Sequence, residues 1–300
     1  MSKLGKVMIA GIVIAIIGVI VLIAAIGMNG WKVFAEYEIK EFKCGQEINT
    51  FNLDFEAGVI KTEFYDGEFI TIEYPECSNL KTVIAMDKDV LSFTTNYKFK
   101  FFQFRNLFQK MPDTVVKVPK NSVLNLNLKV NAGVVDIASG NYGNVNVELN
   151  AGVMNFDNIN CDKYDTKINA GSIKVQNIKT GDSTIKMNAG DIKFSHIEAE
   201  NLEFTVNAGN IELKDLNCNS IKAKLNAGDI SVEKAICKNV YYDINAGKIN
   251  MNISGKKEEY NIQVQMDSGK CNLQNQIGSD ASKIIVLDID SGKANINFVD

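Results

Sequence analysis

The triplet Asn-Ala-Gly occurs seven times at a constant step of nineteen residues, beginning at Asn131, Asn150, Asn169, Asn188, Asn207, Asn226 and Asn245. A fixed period of this size marks an architecture in which each unit stacks on the next. Apolar residues alternate on both sides of each triplet: Leu202, Phe204 and Val206 precede Asn207, and Ile211, Leu213 and Leu216 follow Gly209. Alternation of period two is the strand signal, since successive side chains of a strand point to opposite faces. Nineteen extended residues give a contour of about 60 Å, enough for one closed coil and too short for a propeller blade of about 40 residues. The expected fold is therefore all-β, a single-stranded parallel β-solenoid with one unit per coil.

Within a coil, Gly133, Gly152, Gly171, Gly190, Gly209, Gly228 and Gly247 supply the permissive backbone of a tight turn. Stacked at about 4.8 Å, the seven asparagines form an amide ladder. The register continues in looser form at Asp267-Ser268-Gly269 and Asp290-Ser291-Gly292, and Glu56-Ala57-Gly58 reads as a degenerate first coil. Terminal repeats are expected to depart from the consensus because they cap the stack. Nine to ten coils follow, in a rod about 40 Å long. The polar run Gly255 to Glu259 reads as an exposed loop. This divides the chain into a tail and anchor (1–36), an irregular β capping region (37–130) and the solenoid (131–300).

The amino terminus sets the expected location. Val7 to Met28 carries no charge, and 22 helical residues span about 33 Å, matching a hydrocarbon core of about 30 Å. Lys3 and Lys6 precede this stretch, so the positive-inside rule places the short tail in the cytoplasm and the long domain outside. A cleaved signal peptide is the rival, but its apolar region spans only about 7 to 15 residues. The expectation is a single-pass membrane protein held by this helix.

Net charge is −4, and Arg105 is the only arginine, which excludes an arginine-rich phosphate surface and a nucleic-acid partner. Cys161, Cys218 and Cys237 each fall eleven residues after a triplet Asn, in a column shared with Tyr142, Thr180 and Ala199. Cys218 and Cys237 lie on adjacent coils, where a disulfide is geometrically open, whereas Cys161 is three coils from Cys218. Buried free thiols are the default for such a column. Cys44 and Cys77 are left to pair or to sit apart. No pair has C-x-x-C spacing, so no metal or other cofactor is expected. The only histidine, His196, reads as a solvated turn residue without the context of a catalytic nucleophile. The outward column Asp136, Asn155, Lys174, Lys193, Glu212, Ser231, Asn250 mixes charge, as ordinary solvation does. No catalytic set is expected.

One segment breaks the pattern. Asn96 to Lys110 packs Phe99, Phe101, Phe102, Phe104 and Phe108 among Lys98, Lys100, Arg105 and Lys110 without an acidic residue. These rings either cap the open first coil or form a cationic aromatic contact with anionic lipid or a partner.

The Glu56-Ala57-Gly58 turn, the strand Val116-Lys117-Val118-Pro119 and the repeated Asn-Ala-Gly coils together make residues 40 to 300 resemble the putative-adhesin family of bacterial β-strand-repeat domains of unknown function. That family brings no catalytic residues to carry over. Its membrane-anchored members, including LiaG-type proteins, imply a role in the bacterial cell envelope and its stress responses. The reading is a non-enzymatic, membrane-anchored surface protein binding an envelope protein or polysaccharide. The alternatives are a β-helical carbohydrate-active enzyme and an extracytoplasmic sensor partner of an envelope-stress regulator.

Overall fold

The computed structural model describes residues 37–45, 47–77, 80–97 and 112–299. Strands dominate, with one short 3-10 turn at Lys257–Glu259 inside the polar run after Gly255. Among the described residues no helix is long and apolar enough to cross a membrane. The expected anchor, Val7 to Met28, lies outside those residues.

The middle of the molecule is a parallel stack. β7 (Leu124–Ile137), β8 (Gly140–Phe156), β9 (Ile159–Val175) and β10 (Ile178–Ile244) pair in register at nineteen residues, so that Ala132, Ala151, Ala170 and Ala189 superpose. β10 is one extended chain of 67 residues that winds through successive coils. Every second side chain points inward: Leu202, Phe204, Val206, Ile211, Leu213 and Leu216 are all buried. Burying such a side chain contributes about 1.5–3 kcal/mol, and the stack repeats that gain coil after coil.

The Asn-Ala-Gly corner differs from a tight turn. Strand pairing continues through Ala and Gly, so the corner is a kink in an unbroken strand. Gly152 shows why the residue is glycine: its φ is 137°, and a Cβ there would lie 2.1 Å from the carbonyl oxygen of Gly133 in the coil below. Both the left-handed backbone and the close approach exclude a side chain.

The stack does not begin at residue 131. β2 (Thr50–Tyr65) lies in register on β7, with Ala57 against Ala132 and Gly58 against Gly133. On its other side β2 receives two strands from later in the chain. β5 (Val90–Tyr97) pairs with Thr50–Asp54, and β6 (Thr114–Pro119) pairs with Ile60–Tyr65. These two strands form the outermost parallel coil. Val90–Thr94 and Thr114–Pro119 lie on either side of the position where other coils make the glycine corner. β3 (Ile70–Glu76) runs antiparallel to both β1 (Glu38–Cys44) and β6, and β4 (Leu80–Asp87) runs antiparallel to β5. The fold is therefore not purely parallel.

The carboxyl-terminal end repeats this device. β14 (Ile284–Ile289) and β15 (Lys293–Val299), last in sequence, pair with the end of β10 and with β11 (Lys248–Ser254). β12 (Asn261–Met266) and β13 (Lys270–Cys271) then lie outside them. Spatial order thus places the Asp290 corner on Asn245 and the Asp267 corner beyond it, the reverse of the sequence order. The spacings of 22 and 23 are explained: 22 and 23 sum to 45, the separation of the Asn250–Asn295 and Asn252–Asn297 contacts.

Candidate functional site

Two outward positions per coil, four and two residues before each triplet, line a groove of about 730 Å³ on one face. From the amino-terminal end its rows are Ser92 and Thr94, Asn52 and Asp54, Asn127 and Lys129, Asn146 and Glu148, Asp165 and Lys167, then Thr184 and Lys186. Strand alternation turns these side chains out while Leu53, Leu128 and Val147 between them enter the core. Asn146 donates to Asn127 Oδ1 at 2.8 Å, Asn127 donates to Asn52 Oδ1 at 2.8 Å, and Asn52 donates to Ser92 Oγ at 3.4 Å. Opposite charges pair along the adjacent column, Lys167 with Glu148 at 3.1 Å and Lys129 with Asp54 at 3.7 Å. Lys163 holds Asp165 in an ion pair, while Asp165 Oδ1 is buried and lacks a hydrogen-bond partner. Among the described residues Lys186 is in no ion pair. The groove offers a polar, hydrogen-bonding lattice in which four lysines face three carboxylates.

The corner ladder is separate from this face. Asn245, Asn226, Asn207 and Asn188 each donate to the Asn one coil earlier at 2.7–2.9 Å, and Asn169 and Asn150 continue the run. Asn131 ends it by donating to Glu56 Oε2 at 3.0 Å. Every amide points the same way, so the carboxylate closes the donor end of the ladder. The glycines from Gly133 to Gly247 all have positive φ beside it.

A second groove, of about 570 Å³, lies at the corner of small inward residues and is lined by Cys161, Thr180, Ala199 and Cys218. Burial pushes the Cys161 thiol above its ordinary value, and contact with Cys218 followed by burial does so for Cys237. No disulfide is present among the described residues. Cys44 Sγ lies 3.7 Å from Met86 Sδ, across the antiparallel end. His196 has φ 52° and approaches Asp215 at 3.4 Å, and Asn158 and Asp215 occupy equivalent corners at φ 50° and 46°. Asn, Asp and His are the residues enriched in this left-handed region, which accounts for the column. No group of three His, Cys, Asp or Glu among the described residues is arranged to hold a metal ion.

The aromatic segment with Phe99, Phe101, Phe102, Phe104, Arg105 and Phe108 lies outside the described residues. The groove lattice was missed by sequence reasoning focused on the triplet. Its signal was present in part, as Asn127 and Asn146 differ by nineteen, but Asn52 joins them through a contact of 75 residues.

A stack of in-register coils with polar faces and a capped end defines an extended scaffold protein. Residues 51–297 match the profile of the family described as Toastrack DUF4097, and the chain belongs to that family, a putative-adhesin family of unknown function. Three solved structures are similar over most of their length. A putative lipid binding protein from Parabacteroides distasonis is 15% identical over 88% of this chain and 97% of its own, with a TM-score of 0.48. A putative adhesin from Bacteroides fragilis is 14% identical over 87% and 97%, with a TM-score of 0.39. A putative cell adhesion protein from Clostridium sporogenes is 11% identical over 88% and 100%, with a TM-score of 0.28. No functionally curated protein matches the chain.

Proposed function

We propose that this chain is a non-enzymatic surface protein, held in the membrane by Val7 to Met28, that binds an extended polyhydroxyl polymer of the cell envelope along its polar groove. The observation that carries this reading is the run of amides Asn146, Asn127 and Asn52 across three coils with the ion pairs Lys167–Glu148 and Lys129–Asp54 beside it. Each coil advances about 4.8 Å, so each row of the groove presents a polar pair at a regular step along an extended chain. Three of the four lysines are neutralised by the three carboxylates, which suits a neutral glycan better than a polyanion, whose attraction would need a larger surplus of cations.

The full-length chain in nanodiscs is expected to co-sediment with isolated wall glycan. Replacing the outward Asn127 and Asn146 together with Leu is expected to lower binding at least tenfold while the melting temperature changes little. Equal binding by this variant overturns the groove assignment. Release of new reducing ends from the glycan would instead support the carbohydrate-active enzyme. For topology, protease added to intact protoplasts is expected to remove the solenoid and leave an anchor fragment; full protection would place the domain inside.

A further inference from the structure

The column eleven residues after each triplet Asn runs Tyr142, Cys161, Thr180, Ala199, Cys218 and Cys237. Thr180 and Ala199 are short, and their small side chains form the dent of the second groove. Cys218 lies at one end of that dent, beside Asn217, Asn219 and Lys238, and is 7% exposed. Cys237, one coil further, is 3% exposed and does not line the groove. The two sulfurs are 2.8 Å apart and unbonded. Adjacent coils are about 4.8 Å apart, within the Cα separation of about 4.4–6.8 Å that a disulfide spans. The bond therefore needs side-chain rotation and no movement of the stack.

We propose that Cys218 and Cys237 are a redox-active dithiol that closes into a cross-coil disulfide by exchange with a small organic disulfide entering the corner groove. Cys218 loses its proton to solvent and its thiolate attacks one sulfur of the incoming R–S–S–R. The S–S bond of the reagent breaks, R–S⁻ leaves and takes up a proton, and a mixed disulfide remains on Cys218. Cys237 then loses its proton and attacks the Cys218 sulfur, expelling the second thiol. The protein loses two hydrogens and the reagent is reduced to two R–SH. Exposure sets this order: the groove reaches Cys218, and Cys237 resolves the adduct from behind. Cys161 is an internal control. It lines the same groove at 6% exposure, but its neighbour in the column is Thr180, so an adduct there has no second thiol to release it.

The test uses the reduced full-length chain in detergent, treated with oxidised glutathione under native conditions, alkylated and digested with trypsin. Cys218 falls in the peptide Asp215 to Lys222 and Cys237 in Ala235 to Lys238, so only a disulfide joins them. The expected result is this linked pair together with a melting temperature raised by several degrees and restored by dithiothreitol. In Cys237→Ser the exchange is expected to stop at a glutathione adduct on Cys218. Two alkylated thiols in the treated native protein overturn the proposal, as does an adduct confined to Cys237. If Cys237→Ser fails to fold, the linked or unlinked peptides of the unsubstituted chain still decide.

Discussion

The middle of the rod and its two ends face one problem, the unpaired polar edge of a strand, and solve it differently. In the middle each coil is covered by the next one in sequence, and the ladder of asparagines carries its hydrogen bonds onward. At the ends sequence order is abandoned. The first full coil, β2, is enclosed between β7 and β5 with β6, and the last, β14 with β15, is enclosed between β10 with β11 and β12 with β13. Polar side chains then stand in for a missing coil. Ile262 exchanges both backbone bonds with Gln276, Val264 N donates to Asn275 Oδ1, and the Asn272 amide bonds the backbone of Ile296 on both sides. A repeat extends indefinitely, so a finite rod needs ends that do not repeat.

The largest expected effects come from changing length. Deleting Ala170 to Asn188 removes one whole period and should leave a folded, shorter rod, because each inward column and glycine corner stays in register. Deleting only Ile185 and Lys186 removes a fully buried residue and displaces the corner from the glycine stack, and should abolish the cooperative melt. Truncation after Lys283 tests the end. It removes the coil on which β12 rests, and should give aggregation through the exposed edge even though fewer residues are lost than in the tolerated deletion. Thermal melts and light scattering read all three; equal damage from the first two would break the one-coil-per-period account.

Next in size is the corner glycine. Gly190 has φ 136°, and a Cβ would stand 1.9 Å from Gly171 O, so Gly190→Ala is expected to cost at least about 3 kcal/mol. Gly45, at the antiparallel end, has its nearest neighbour 3.7 Å away in the Phe69 ring. Gly45→Ala should change stability by less than about 0.5 kcal/mol in denaturant titrations. A similar loss at both positions would show that the corner imposes no special constraint.

This contrast also explains what could be read from residues alone. The columns flanking Asn207 were legible because strand alternation and the nineteen-residue period are both local signals, and Leu202 to Leu216 are buried as that pattern requires. β4 was not, because Val83, Ile84, Ala85 and Met86 form an apolar run without period-two alternation, and only Leu80 of the strand is fully buried. Nor was the reversed order of Asp267 and Asp290, since a period reports the distance between stacked units only while the chain fills them consecutively. The departure from nineteen to 22 and 23 was the available clue. The groove draws one row from β2 and another from β5, so part of it exists only through that reordering.

The asparagine ladder ranks third. Asn188 donates to Asn169 and accepts from Asn207, and Asn188→Ala should cost about 1 kcal/mol by deleting both bonds in an exposed setting. Asn131→Ala, at the end of the run, removes a bond to the Glu56 carboxylate and one from Asn150, and because one partner is charged its loss should be the larger. Chemical denaturation of the two variants compares them directly. A smaller loss at Asn131 would mean that the carboxylate does not close the ladder.

The smallest difference separates two buried tyrosines. In the middle, Tyr164 packs edge-on to Phe156 and Phe194 at centroid distances of 5.7 and 6.1 Å, and its buried hydroxyl has only the Thr166 hydroxyl beside it, without good hydrogen-bond geometry. In the end cap, the Tyr260 hydroxyl donates to the Cys237 carbonyl at 2.7 Å, and its ring meets Phe298 at 5.4 Å. Substitution by Phe keeps both sets of ring contacts, so it isolates the hydroxyl. Tyr260→Phe should lose about 1 kcal/mol, since it removes the bond that ties the cap to the repeat. Tyr164→Phe should be neutral or slightly stabilising, because the hydroxyl is desolvated on folding and gains only a poorly aligned contact with Thr166. Equilibrium unfolding of the two variants reads the difference. An equal loss at both sites would mean that the Tyr164 hydroxyl is satisfied, by a buried water for example, and that the middle of the rod is as dependent on side-chain hydrogen bonds to the backbone as its cap.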